Sequence, residues 1–142
     1  MTKYVNELKA ELPSLSANEG LCRGLVSAFV AQQNPTIEEL SDIKCAVSEA
    51  VTNAIVHGYR FEAGKIRLTI RATAERCIHV EIKDSGCGIE DVAKAMEPLF
   101  TTDQSGERSG MGFAVMQTFM DQLTVRSTPG KGTVVRMRKQ LS

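Results

Sequence analysis

Two polar side chains in the middle of the chain, Glu49 and Asn53, have the spacing of a ligand-binding pair. They lie four residues apart in a segment whose apolar pattern predicts a helix, so both share one helix face. A carboxylate can accept a proton, and an amide oxygen is a suitable ligand for Mg²⁺. Ala50 and Ala54 are small and leave room for a ligand against that face. The pair is a candidate base and metal ligand, and an ordinary solvated helix face is the alternative that the pair alone favours.

A glycine-rich turn at residues 84–89, with the sequence DSGCGI, directly follows an alternating strand. The carboxylate of Asp84 can accept a hydrogen bond from an exocyclic amine such as that of adenine. Gly86 and Gly88 have no side chains, which lets the backbone approach a flat base closely. The turn matches neither GxxxxGK[ST] nor GxGxxG, so neither a P-loop nor a Rossmann site is indicated. A plain glycine-rich turn remains the alternative.

The third candidate is the segment 108–113, RSGMGF, at the predicted start of a helix. Glycines such as Gly110 and Gly112 free the first N–H groups of the helix to hold phosphate, and the helix dipole assists. Arg108 can contact a terminal phosphate with two parallel hydrogen bonds. The polar stretch 101–107 has the character of a lid. A flexible helix start with a solvated arginine is the alternative.

The elements that position these residues follow from periodicity and turn signals. Alternating runs predict strands, 3.6-residue spacing predicts helices, and the capping box formed by Thr36 and Glu39 opens the second helix. Hairpins outnumber βαβ units, which favours an α+β two-layer sandwich: one mixed, mostly antiparallel sheet with helices packed on a single face. The predicted strands cover 4–12, about 66–70, 78–82, 123–128 and 132–138, and the predicted helices cover 18–33, 36–58, 91–97 and 110–122.

The same pattern predicts the apolar faces of the helices. The expected apolar positions are Leu21, Leu25, Val26, Phe29 and Val30 in the first helix, Ile37, Leu40, Ile43, Val47, Ala50 and Ala54 in the second, and Phe113, Met116, Phe119 and Met120 in the last.

Length and composition limit the possible functions. A chain of 142 residues predicts one domain, over 1–142, and its net charge of zero argues against DNA as a direct partner. No run of 18 apolar residues and no signal peptide is present, which predicts a cytoplasmic protein that does not bind a membrane. The four cysteines form no CxxC pair and, with two histidines, no metal-ligand spacing, so we expect core or near-core thiols in a reducing compartment.

Taken in order, the three candidate segments resemble the asparagine box and the two glycine boxes of the GHKL ATPase superfamily. The stretches 48–59 (SEAVTNAIVHGY), 98–102 (PLFTT) and 107–113 (ERSGMGF) further resemble the anti-sigma F family, serine-protein kinases of endospore-forming bacteria. The resemblance extends from about Asn18 to Arg136. The general-stress anti-sigma B kinases share this chemistry with a different partner, and a nucleotide-binding module without turnover is a further alternative.

The resemblance implies a fold, a reaction and partners. The family has the Bergerat ATP-binding fold, binds ATP with Mg²⁺ and transfers the γ-phosphoryl group to a serine of an anti-anti-sigma factor, leaving ADP. It also holds sigma factor F inactive as a homodimer. The implied roles are general base for Glu49, Mg²⁺ ligand for Asn53, adenine contact for Asp84 and Thr133, γ-phosphate contact for Arg108, further nucleotide contacts for Gly86, Gly88, Thr101, Thr102, Ser109, Gly110 and Gly112, and partner docking for Glu19 and Arg23.

Overall fold

A computed structural model describes residues 3–60, 62–96 and 112–142 of the chain. Five strands of this part form one sheet: β1 (Tyr4–Pro13), β2 (Lys65–Thr73), β3 (Cys77–Asp84), β4 (Gln122–Thr128) and β5 (Gly132–Gln140). They lie in the order β1-β2-β3-β5-β4, and all four neighbouring pairs are antiparallel. The predicted α+β sandwich is confirmed, and the described sheet contains no parallel pair.

Alternation along the strands gives the sheet one buried face and one polar face. On the buried face Leu68 lies between Ala10 of β1 and Ile82 of β3, and Leu68 and Ile82 are almost completely inaccessible. The opposite face is polar, and ion pairs join neighbouring strands there, as between Arg67 Nε and Glu11 Oε1 at 3.2 Å. The helices therefore cover only the apolar face.

The described helical layer consists of α1 (Ala17–Ala31), α2 (Ile37–Asn53), α3 (Val92–Ala95) and α4 (Gly112–Phe119), and α2 continues into a π-helical turn at Ala54–Gly58. The α2 helix packs against α1, α4 and β3, so it is the central element of this layer. Its predicted capping box is confirmed: Thr36 Oγ1 accepts the Glu39 N–H at 3.0 Å, and Glu39 Oε1 accepts the Thr36 N–H at 2.8 Å.

The predicted apolar face of α1 is confirmed at Val26, Phe29 and Val30, which are buried, and is wrong at Leu21, which is 50% exposed. The Cys22 thiol, a small apolar group, takes the place in the core that the pattern gave to Leu21. The difference therefore concerns the first turns of the helix, where the buried residue is the neighbour of the predicted one.

Smaller differences concern single positions. Ile37 is 90% exposed because the first residue of α2 lies beyond the edge of the core, and Phe119 is only partly buried at the end of α4. That helix stops before Gln122, which already pairs with Arg138 in the sheet. The expectation of core thiols is wrong for Cys45, whose side of α2 faces solvent.

Candidate nucleotide site

The candidate site is built around the C-terminal part of α2 and the π-helical turn that follows it. The wider turn is closed by the Tyr59 N–H, which donates to the Ala54 carbonyl at 2.9 Å. Its last residue, Gly58, lies directly against the end of β3: a side chain on Gly58 would meet Asp84 Oδ1 at 3.0 Å. One continuous helical segment therefore carries Glu49 and Asn53 and also contacts the predicted adenine-binding carboxylate.

Asp84 is a buried carboxylate at the end of β3, with only 7% of the residue exposed. Its Oδ1 accepts the Gly86 N–H at 2.9 Å. Burial raises the pKa of Asp84, and hydrogen bonds from the backbone N–H groups of Gly86 and Thr133 partly offset that effect. A carboxylate held in this way can accept a hydrogen bond from an amine of a bound ligand.

Two hydroxyl groups lie beside Asp84 in the next strands. The register places Thr133 of β5 opposite Asp84 and Ser127 of β4 opposite Thr133. Ser127 Oγ accepts the Ile89 N–H at 2.7 Å and lies 2.8 Å from Thr133 Oγ1 and 3.0 Å from the Gly132 carbonyl oxygen. Three adjacent strands thus contribute a row of polar side chains at one end of the apolar face.

Ser127 was absent from the sequence-based set of site residues. Ser127 lies on the same face of β4 as Leu123 and Val125, the face that packs on the helices. Thr133 lies on that face of β5 with Val135 and Met137. The available signal was a polar residue at the end of an alternating apolar series, because such a residue faces the helices at the edge of the core.

The glycines of the turn at 84–89 are explained by contacts within the protein. A side chain on Gly86 would overlap the Gly58 carbonyl, and one on Gly88 would overlap the Thr128 carbonyl. Gly88 also has a φ of +77°, which favours glycine. The turn is thereby clamped between the π-helical turn and the β4–β5 turn, whose Gly130 N–H donates to the Cys87 carbonyl at 2.6 Å. Close approach of Gly86 and Gly88 to a base stays a prediction.

The first and third candidate segments meet in space. A side chain built on Gly112, the first residue of α4, would lie 3.0 Å from Asn53 Nδ2 and 3.3 Å from Glu49 Oε2. The N-terminal end of α4 therefore lies beside the two polar side chains of α2, both half-buried. Five predicted positions lie outside the described residues: Thr101, Thr102, Arg108, Ser109 and Gly110.

The described donors and acceptors suit an adenine nucleotide with a divalent cation. Asp84 offers an acceptor at one end of the site, and the N–H groups at the start of α4 suit a phosphate at the other. Asn53 offers an oxygen ligand beside that helix end, and Glu49 offers a proton acceptor.

The predicted docking pair lies on α1. Arg23 Nη1 is 3.6 Å from Glu19 Oε1, as expected for an i,i+4 pair, and the Arg23 side chain is 46% exposed. The Glu19 side chain is only 22% exposed, and it also accepts a hydrogen bond from Ser48 Oγ of α2.

Comparisons with known proteins agree with this geometry. Residues 12–139 match the histidine kinase-like ATPase domain family. The chain is 57% identical over 140 residues to an anti-sigma F factor of Caldanaerobacter subterraneus subsp. tengcongensis, covering 98% of this chain and 96% of that one. It is 55% identical over 139 residues to an anti-sigma F factor of Thermoanaerobacter sp. (strain X514), with the same coverage. The chain belongs to the anti-sigma F factor family of histidine kinase-like ATPases.

Structural comparison supports the fold. The RsbU and RsbW domains of a Mycobacterium tuberculosis protein match 96% of the chain with a TM-score of 0.71 and 17% identity, and the chain covers 33% of that structure. As an ATPase domain of the anti-sigma F factor family, the chain carries a site for ATP and ADP. None of the helices in the described ranges combines the length and apolar character that a membrane crossing requires.

Proposed function

We propose that the chain is an ATP-dependent protein-serine kinase and an anti-sigma factor that acts in the bacterial cytoplasm during sporulation. The observation that carries the proposal is the meeting of Glu49 and Asn53 with the N-terminal end of α4 at Gly112. Relatives at 50–57% identity, which are named anti-sigma F factors, support the same function.

The nucleotide would be held at both ends. The Asp84 carboxylate accepts a hydrogen bond from the adenine amine, with the Thr133 hydroxyl beside it, and Gly86 and Gly88 lie along the base. N–H groups at the start of α4 hold the phosphates, and Arg108 contacts the γ-phosphate. Asn53 is the protein ligand of Mg²⁺, which when bound neutralises charge that develops on the phosphates.

Glu49 would act as the general base. Its carboxylate takes the proton of the substrate serine hydroxyl as the serine oxygen forms a bond to the γ-phosphorus. The bond between that phosphorus and the bridging oxygen of ADP breaks, and its electron pair leaves with ADP. Phosphoryl transfer depends mainly on positioning and electrostatic stabilisation, and α2 would supply two of the groups it requires, Glu49 and Asn53, one helical turn apart.

The proposed partners are proteins. A homodimer of the chain would bind sigma factor F and phosphorylate a serine of its anti-anti-sigma factor, and both would dock on Glu19 and Arg23. A nucleotide-binding module without turnover is disfavoured because Glu49 lies beside the phosphate-binding helix end. A role toward sigma factor B is disfavoured because the 50–57% identical relatives are named for sigma factor F.

The experiment that tests the proposal is transfer from radiolabelled ATP to purified anti-anti-sigma factor. Glu49→Gln should keep ATP affinity and lose transfer by about 10²–10⁴-fold, the usual contribution of a general base. Glu38→Gln is the matched control, since it makes the same change on an exposed position of the same helix. Transfer by Glu49→Gln within about threefold of the wild type would refute the role of the base.

A further inference from the structure

A hydrogen bond joins α1 to the helix that carries the candidate base. Ser48 Oγ donates to Glu19 Oε1, and the same carboxylate oxygen lies 3.6 Å from Arg23 Nη1. Glu19 is thus shared between a guanidinium that is about half exposed and a hydroxyl in the interface between the helices. The Glu19 charge also reaches the core side of α1: burial, together with the nearby Glu19 carboxylate, raises the pKa of the Cys22 thiol to about 11.

Ser48 lies in the turn of α2 that carries Glu49 and Asn53. It precedes Glu49 in the chain, and its carbonyl accepts a hydrogen bond from Thr52 Oγ1 at 2.7 Å, one residue before Asn53. A displacement of the Ser48 side chain is therefore passed to the turn of α2 that holds Glu49 and Asn53.

We infer that Ser48 is a positioning residue that couples occupation of the Glu19–Arg23 surface to the orientation of Glu49. This inference rests on the proposed kinase function and on the proposed docking of partners at Glu19 and Arg23, and it names a regulation of the same site. A partner group that donates to Glu19 competes with Ser48 for the carboxylate, and a partner acid that pairs with Arg23 draws the guanidinium away from that carboxylate. Binding on α1 thereby changes the hydrogen bond between Glu19 and Ser48, at the start of the turn of α2 that carries Glu49 and Asn53.

The test compares three variants in transfer from ATP to the anti-anti-sigma factor, with kcat, KM and ATP affinity measured separately. Ser48→Ala should lower kcat by about tenfold while ATP affinity stays within about twofold. Ser48→Thr keeps a hydroxyl and should restore kcat to within about threefold of the wild type. Ser41→Ala, the same change on an exposed position of α2, should behave as the wild type.

A double-mutant cycle adds a readout that a general structural role would not move. If Ser48 acts through Glu19, the variant that combines Glu19→Gln and Ser48→Ala should have a kcat no lower than that of whichever single variant has the lower kcat. A wild-type kcat in Ser48→Ala would overturn the inference. So would an equal loss in Ser48→Thr, or losses that multiply in the double variant.

Failure of the kinase proposal is distinguishable from failure of this inference. If the wild-type chain transfers no phosphate, the proposed reaction is wrong. The coupling between α1 and the nucleotide site is then measured by the affinity for the sigma factor instead of by kcat. The ratio of sigma-factor affinities with ATP and with ADP should move toward one in Ser48→Ala and be restored in Ser48→Thr. An unchanged ratio in Ser48→Ala would overturn the coupling in that case.

Discussion

Asp84→Asn separates the contribution of the buried carboxylate to nucleotide binding from its cost to the fold. The amide is nearly the same size, and its oxygen can still accept the Gly86 N–H that now donates to Asp84 Oδ1 at 2.9 Å. The substitution removes the charge. Because Asp84 is only 7% exposed, burying its ionised carboxylate costs more free energy than burying a neutral amide in the same place.

Loss of this charge should weaken nucleotide binding but should not destabilise the fold. A hydrogen bond to a charged acceptor contributes about 1.5–3 kcal/mol, so loss of the carboxylate should weaken ATP binding by about tenfold to a hundredfold. Preference for ATP over GTP should fall as well, because the amide can donate to the oxygen that guanine carries in place of the adenine amine. Unfolding free energy at neutral pH should be unchanged or higher.

The pH dependence follows from the raised pKa of Asp84. A carboxyl whose pKa is higher in the folded state than in the unfolded state stabilises the fold at pH values below its unfolded pKa, which is 3.8 for Asp. That contribution is lost as pH rises through the folded-state pKa. The stability of Asp84→Asn relative to the wild type should therefore increase with pH across this window and then level off.

Calorimetric titration with ATP and GTP measures the first consequence, and denaturant unfolding from below pH 4 to neutrality measures the second. Glu90→Gln, which removes an exposed charge next to the same turn, is the control for both. Wild-type ATP affinity and ATP preference in Asp84→Asn would place adenine recognition elsewhere. A variant that is less stable than the wild type at neutral pH would refute the argument from burial.

Four further variants test the other segments. Asn53→Ala should weaken ATP binding only when Mg²⁺ is present, which titrations with and without the cation would show. Arg108→Ala should reduce the preference for ATP over ADP and slow transfer, whereas equal losses for both nucleotides would indicate a structural role. Arg23→Glu should leave folding and ATP binding intact and weaken at least one protein partner by about tenfold or more in calorimetry with ATP or ADP. Gly88→Ala should lower the unfolding free energy by clearly more than Gly130→Ala does. The two glycines have similar φ values, +77° and +79°, but only Gly88 has no space for a side chain. Equal losses of unfolding free energy in denaturant unfolding would refute the overlap.

The elements of the fold could be predicted because their signals are local. Alternation in the strands and the reciprocal side chains of Thr36 and Glu39 depend on residues close in sequence. The site was predicted as three separate segments, and contacts of the helical segment 37–58 join them. Gly58 lies against Asp84 of the glycine-rich turn, and the packing of α4 on α2 brings Gly112 to Asn53 across 59 residues of chain. No periodicity contains such a contact.

The unpredicted bond between Glu19 and Ser48 is linked to the residues of α1 that enter the core. The periodicity predicts Val26, Phe29 and Val30 correctly, but it places Leu21 in the core, where the buried residue is instead Cys22. Glu19 lies three residues before Cys22, so the two share one side of the helix, and Glu19 reaches Ser48 of α2. Counting the cysteine as a core residue would have predicted this orientation. The physical basis for coupling a docking surface to the catalytic helix thus includes the burial of Cys22, because the same side of α1 holds Glu19 against α2 while Glu19 stays within reach of Arg23.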